Sequence, residues 1–473
     1  MNSFKKKNSD KINPKNSKNF DNQKMNKKME VKCFALNDFG EGIFKNDKTI
    51  GCVANLLPKE KAIVEEVNNK LNKTTEKKYR LVKLLNEAND RITVKCDVYK
   101  RCGSCHLLHM NYDKQIEFKY NYVTNALKEQ KLNSKIDEVI KAEKKERYRN
   151  KMQVAYTTKI ENNRSDIVYG FYAEDTHKII PLNDCLVHSE RQNEIVKSIA
   201  KIIKELKLIP YDEDKRTGLI RFVLVREAIK SGEILVAVVT NGEMFPARSE
   251  FVKRLRNKCP YITTIVQNVN SRKTSIILGD DERVLYGPGY IIDQLCGINF
   301  KISSKTFYQV NPYQTEKLYN KVIEYANLSK NDVVLDAYCG VGTIGMVMAP
   351  HAGLVIGVEN NKQSVINARD NAYQNKVKNI RFVNQDATEF LEKDENKYDV
   401  VVMDPPRSGS TVKFLQTLKK IAPKKIVYVS CEAKTLARDL KELVDKYDIT
   451  KKCIVDMFVG TYHVETVCLL TKK

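Results

Sequence analysis

The chain has 473 residues, 42% hydrophobic and 30% charged, and its 82 Lys and Arg against 59 Asp and Glu leave a net charge of +23. That length and balance exclude a disulfide-stapled miniprotein and a fully disordered chain, and the lack of a long apolar run or an apolar signal core excludes a membrane span and leads us to expect a cytoplasmic protein. The charge calls for a polyanionic partner, nucleic acid before a membrane surface, while the twelve cysteines of a reducing compartment read as ligands, nucleophiles or small core residues.

Residues 1–30 are nearly all Lys, Asn, Ser, Asp and Met, too polar to offset ordering entropy, and predict a disordered basic tail. Residues 31–95 follow as short β-rich runs, VKCFALND, GEGIFK, TIGCVANLL, KAIVEEV, KKYRLVKLL and RITVKC, punctuated by Gly40, Gly42 and Pro58. Short strands at such spacing predict a small barrel of the oligonucleotide-binding kind. Residues 96–298 open with a cysteine-dense segment and continue as an α+β domain. It has a helical run near Gln115–Gln130, strands in YRNKMQVAYTT and IRFVLVREA, and an amphipathic helix in ERQNEIVKSIAKIIKELK. Arg147, Arg149 and Lys151 are candidate phosphate contacts, with a solvated strand face as the equal alternative. From 299 to 473 the rhythm is strand, turn, helix, repeated. The strands VVLDA, LVIGVE, IRFVNQDA, YDVVVMDPP, KIVYVSCE and HVETVCLL predict a doubly wound, mostly parallel, Rossmann-like sheet. The whole reads as a multi-domain α/β protein without internal repeats.

Gly340, Gly342 and Gly345 form G-x-G-x-x-G directly after a strand and before a helix, and Glu359 ends the next strand where an acid can bind ribose hydroxyls. These features fit NAD and S-adenosylmethionine alike. Asp386, after the third strand, and Asp404, in D-P-P-R after the fourth, favour S-adenosylmethionine: carboxylates around one crevice suit a positive sulfonium better than a pyrophosphate. Each acid can also be read as a helix cap.

Cys431 lies where a strand gives way to a helix, so the helix N-terminus should favour its thiolate. Glu465 interrupts an apolar strand, and a buried glutamate needs a partner or a function. Its neighbour His463 reads as a polar contact. Together Cys431 and Glu465 suit one chemistry. Carbon 5 of uracil is a poor nucleophile until a thiolate adds at carbon 6, and a base must then take the carbon-5 proton so that the thiolate can leave.

FYQVNPYQTEKLY, LDAYCGVGTIG, MDPPRSG, SCEAKTLARDL and HVETV resemble the RNA uridine-5 methyltransferase family, in particular its iron–sulfur branch acting on 23S ribosomal RNA with an N-terminal TRAM domain. The resemblance implies S-adenosylmethionine contacts from Gln309, Tyr338, Glu359 and Asp404, with weaker support for Asp386. It makes Cys431 the nucleophile and Glu465 the base, and residues 31–95 a TRAM-like RNA-binding barrel. It also implies a [4Fe–4S] cluster on Cys96, Cys102, Cys105 and Cys185, with a structural or RNA-positioning role; by spacing alone zinc is equally compatible. The expected partner is RNA, 23S rRNA first and tRNA second, with no membrane or protein partner implied. Readings of other classes are a cluster-bearing nicotinamide oxidoreductase and a non-catalytic RNA-binding protein.

Overall fold

The computed structural model describes residues 28–46, 49–67, 78–162, 164–173, 176–274 and 276–473. Residues 1–27 of the expected basic tail lie outside them, and its last three residues already belong to the first strand, Lys28–Leu36.

Strands Lys28–Leu36, Gly42–Asn46, Thr49–Val53, Lys61–Val67 and Lys78–Leu84 close into a five-stranded barrel. Their period-two pattern turns Val31, Cys33, Phe44, Val53, Ala62 and Val64 into its interior, where the Phe44 ring meets Tyr79 edge-on at 5.0 Å between centroids. Glu60 is buried and accepts from the backbone N–H of Leu57 at 2.7 Å and of Ala88 at 3.1 Å, which answers the desolvation of its carboxylate. The expected strand RITVKC is absent. Arg91 makes only an isolated bridge to Met110, since a closed barrel has no edge for a sixth strand to join.

Residues 89–473, with 37–41, form a second compact unit containing two large sheets. The first has seven strands in the spatial order Asp281–Tyr286, Thr264–Val269, Ile234–Thr240, Ile220–Glu227, Lys151–Glu161, Arg164–Tyr172, Ile179–Pro181. Helices Glu190–Glu205 and Arg248–Lys258 pack on it through Ile195, Ile199, Ile202, Phe251 and Leu255. Ser189 caps the first of these helices in a reciprocal box with Gln192.

The second sheet has eight strands, ordered Ile380–Asn384, Leu354–Glu359, Val333–Ala337, Val400–Met403, Lys425–Ser430, Glu465–Lys472, Tyr447–Val455, Glu138–Ile140. The first five are parallel. Alternate residues face opposite clusters, Val334 and Val400 one way and Leu335 and Val401 the other, so helices cover both faces as expected of a doubly wound sheet. Two features went unseen in the sequence. Tyr447–Val455 is a strand whose Asp448, Lys451 and Lys452 break the apolar run. Glu138–Ile140, counted with the central domain, pairs parallel with it and ends the catalytic sheet. Helix Tyr112–Glu129 follows the same allegiance, with Val123, Ala126 and Leu127 in one core with Leu436 and Leu440 of helix Ala433–Leu443. Among the described residues no helix is long and apolar enough to cross a membrane.

Candidate active site

The parallel strands leave Val333–Ala337 outward in one direction and resume at Val400–Met403 on its other side, a reversal that opens a crevice at their C-terminal ends. A cleft of about 1080 Å³ lies there, and Gln309, Tyr338, Glu359, Asp386, Asp404, Cys431 and Glu465 all line it. Residues drawn from seven separate stretches of sequence thus meet at one site.

Local structure explains each placement. In the glycine-rich turn Tyr338 and Gly342 take positive φ, 65° and 79°, and a Cβ on Gly342 would meet the Phe382 ring at 2.5 Å, so only glycine brings the backbone this close. Glu359 pins the turn by accepting from Gly340 N–H at 3.1 Å and from Asn361 N–H at 2.7 Å. Asp386 is the N-cap of helix Ala387–Lys393, its Oδ1 accepting from Thr388 and Glu389 N–H at 2.8 and 3.2 Å; it caps a helix and lines the cleft at once. Asn150 donates to the Gln309 carbonyl at 2.9 Å and fixes the F-x-Q-V-N turn to strand Lys151–Glu161.

The D-P-P-R turn is held from helix Ala433–Leu443. Buried Asp439 accepts from Ser410 N–H and from the Tyr428 hydroxyl, each at 2.7 Å, and from Arg438 Nε at 2.8 Å. Thr435 donates to the Arg407 carbonyl at 3.0 Å. Asp439→Ala strands these donors without a partner and should cost about 3 kcal/mol, read as a lower thermal midpoint together with weakened cofactor binding.

Acids outnumber bases in the cleft, five to three. Burial pushes the Asp404 carboxyl up to about 7, and burial with the charge of Asp404 pushes Glu465, only 4% exposed, well above the usual range while Arg407 pulls it back. Asp336, behind the glycine turn, has both carboxyl oxygens buried without a hydrogen-bond partner, and burial raises it to about 8. The sequence reading passed over Asp336, although an acid inside an apolar strand is the signal that singled out Glu465. His463 is kept neutral, near 3, by burial and then by Arg407, and its Nε2 accepts from Arg407 at 3.3 Å.

Cys431 departs from expectation. It stands one residue before the Glu432 N-cap, but its thiol is pushed up to about 12 by burial, then by Glu465 and Asp404, against which Arg407 is the weaker influence. The helix terminus does not outweigh desolvation and two carboxyls, which together favour the thiol.

Raised carboxyls of this kind bind a sulfonium best once ionised. Burial favours the protonated form of Asp404 and moves its ionisation up to about 7, so the cleft gains negative charge as pH rises through that range. S-Adenosylmethionine affinity relative to S-adenosylhomocysteine should therefore rise about tenfold from pH 6 to pH 8. Calorimetric titration of both ligands checks it, with a flat ratio as the contrary result.

The four clustered cysteines, Cys96, Cys102, Cys105 and Cys185, line a second cavity of about 230 Å³. Burial, then Cys185, pushes the Cys105 thiol to about 12, and burial does most to push Cys185 to about 11. Among the described residues no three His, Cys, Asp or Glu side chains are arranged to hold a metal ion; the thiols surround a volume. Of the three basic candidates, Arg147 is not available to phosphate. It grips the Asp184 carboxylate and the carbonyls of Cys185 and His188, at 2.8 Å for Cys185 and 2.9 Å for His188. Arg149 lines the cysteine cavity with a buried, unpartnered Nε. Lys151 lines both cavities, its ammonium lowered to about 8 by burial and then by Arg226 and Arg149.

The profile of the family described as tRNA (Uracil-5-)-methyltransferase matches residues 111–473. An RNA methyltransferase of Staphylococcus aureus strain N315, described as uncharacterized, is 38% identical over 92% of this chain and the whole of its own length. Another from Clostridium tetani is 40% identical over 91% of this chain and 94% of that one. Among solved structures, the Pyrococcus abyssi tRNA (uracil-54, C5)-methyltransferase in complex with S-adenosyl-L-homocysteine superposes with a TM-score of 0.75 at 27% identity, over 93% of this chain and 99% of that chain.

Proposed function

The chain belongs to the tRNA (uracil-5-)-methyltransferase family of S-adenosylmethionine-dependent enzymes, and from that premise we propose that it methylates carbon 5 of a uridine in 23S rRNA through an adduct between Cys431 and carbon 6 of the ring. The observation that carries the reading is the placement of Cys431 and Glu465 on one cleft with Asp404, close enough that the charges of Glu465 and Asp404 raise the Cys431 thiol. A nicotinamide enzyme or a non-catalytic RNA binder has no use for that pair.

Acids outnumber bases on the cleft walls, Asp280, Glu359, Asp386, Asp404 and Glu465 against Lys151, Lys305 and Arg407, which fits a ligand with a positive centre. Gln309, Tyr338, Glu359, Asp386 and Asp404 would hold S-adenosylmethionine, which supplies an electrophilic methyl group. The chain's own residues do the rest. Cys431 passes its proton to solvent and adds sulfur to carbon 6, which makes carbon 5 nucleophilic; the methyl moves to carbon 5 as its bond to the sulfonium sulfur breaks and a neutral thioether leaves. Glu465 removes the carbon-5 proton, the C6–S bond breaks, and Cys431 leaves as thiolate while Glu465 passes its proton to solvent. The reacting base has to be unstacked first. Phe307, 68% exposed at the cleft, offers a ring for it to lie against.

The four thiols around one cavity fit a polynuclear cluster better than a single zinc ion, and Cys96, Cys102, Cys105 and Cys185 would hold a [4Fe–4S] group. When bound, it ties residues 96–105 to Cys185 by iron–thiolate bonds; no methyl-transfer step passes through it. The five-stranded barrel is read as a TRAM-like RNA grip working in the cytoplasm. The choice of 23S rRNA rests on the resemblance of the sequence motifs to the branch that acts there, since relatives with barrel and cluster act on tRNA as well. The Pyrococcus abyssi neighbour, named for uracil 54 of tRNA, supports tRNA as the second reading. Mass-spectrometric mapping of 5-methyluridine in both RNAs, from cells with and without the protein, decides between them: a 23S site should disappear, and loss confined to tRNA would overturn the first reading.

A further inference from the structure

Residues 456–463 join strand Tyr447–Val455 to strand Glu465–Lys472, bring Phe458 and His463 to the cleft, and deliver the chain into Glu465. Five consecutive carbonyls of this strap are each held from outside it. Gln314 Nε2 donates to Asp456 O at 3.1 Å, Asn311 Nδ2 to Met457 O at 2.9 Å, Lys119 Nζ to Phe458 O at 2.9 Å, and the Tyr148 hydroxyl to Val459 O at 2.9 Å. Gly460 O takes two backbone donors, His106 N–H at 2.8 Å and Leu107 N–H at 2.9 Å.

Those last two donors follow Cys105 directly in sequence, and Tyr148 immediately precedes Arg149; Cys105 and Arg149 both line the cysteine cavity. The His106 ring also lies 4.5 Å from Tyr462 and 6.4 Å from His463, between centroids. Contact is tight: Gly460 has φ +78°, and a Cβ there would meet Leu108 Cδ2 at 2.5 Å. We propose that the Cys105–Leu108 segment and Tyr148 form a positioning brace for the catalytic base, fixing where Glu465 stands by clamping Gly460 and Val459. The cysteine cavity then serves proton removal rather than RNA affinity. This inference rests on the reading of Glu465 as the base.

A displaced base leaves addition and methyl transfer intact and slows only the departure of Cys431. The probe is RNA labelled with tritium at uracil carbon 5. Gly460→Ala should lower turnover roughly a hundredfold, the lower end of general-base effects, and Tyr148→Phe, which deletes one hydroxyl and displaces the base less, roughly tenfold. In both, a denaturation-resistant protein–RNA adduct carrying the new methyl and the retained tritium should build up, with RNA affinity unchanged. Should Gly460→Ala not fold, Tyr148→Phe decides alone. Wild-type turnover in Tyr148→Phe, or adduct falling in step with turnover, overturns the brace. Glu465→Gln separates the two claims: if it accumulates no methylated adduct, the base assignment itself fails, whereas accumulation there but in neither brace variant refutes only the brace.

Discussion

Cys431→Ala loses RNA methylation by on the order of 10⁵-fold, the scale of removing a covalent nucleophile, while S-adenosylmethionine binding is retained. Carbon 5 of uracil has no lone pair to offer, so removing the sulfur removes activation altogether. No neighbour substitutes. Cys339 also borders the cleft, but it is buried, and burial with Asp336 and Glu359 pushes its thiol well above the ordinary value. Cys431→Ser should fare little better, because a hydroxyl is a far weaker nucleophile at the same place. Single-turnover methyl transfer and cofactor titration measure the two halves, and turnover surviving in Cys431→Ala would remove the covalent step from the account. Burial, then Glu465 and Asp404, pushes the Cys431 thiol up to about 12, so forming the thiolate is part of what the reaction has to achieve.

Glu465→Gln is expected to trap the reaction after methyl transfer. The amide keeps the shape and hydrogen-bonding capacity of the side chain but cannot take a proton, so carbon 5 holds both methyl and hydrogen and Cys431 cannot leave. Multiple turnover should fall by about 10²–10⁴-fold, while stoichiometric methylated RNA stays attached to the protein on a denaturing gel. Burial of Glu465, which raises its carboxyl well above the usual range, gives it the affinity for a proton that this step needs. Unattached methylated RNA at the wild-type rate would assign the base elsewhere.

Much of this was legible in the sequence because the signals were local. The barrel followed from short alternating runs, and the parallel sheet from apolar strands with glycine or acid at their ends. Five residues named from the strands, Glu359, Asp386, Asp404, Cys431 and Glu465, and two named by the family resemblance, Gln309 and Tyr338, all line one cleft. What was missed depends on tertiary pairing. Glu138–Ile140 is three residues long and is defined only by the strand it meets, and Tyr447–Val455 hides behind its lysines. RITVKC has strand composition but no edge to pair with. The thiolate expectation for Cys431 met the same limit: the helix terminus is visible in sequence, whereas the burial that does most to raise the thiol, and Glu465 and Asp404 that add to it, are set by tertiary packing. Arg147 looked like an RNA contact because Asp184, its partner, is 37 residues away.

The central claim is that a methyl group replaces the carbon-5 hydrogen of an RNA uridine by way of a cysteine adduct. RNA labelled with tritium at uracil carbon 5, incubated with the full chain and S-adenosylmethionine, tests it in one vessel. The account predicts one tritium released to water for each methyl gained, with both signals lost in Cys431→Ala. Methyl gained with tritium retained and no protein–RNA adduct would place the methyl on another atom and contradict it.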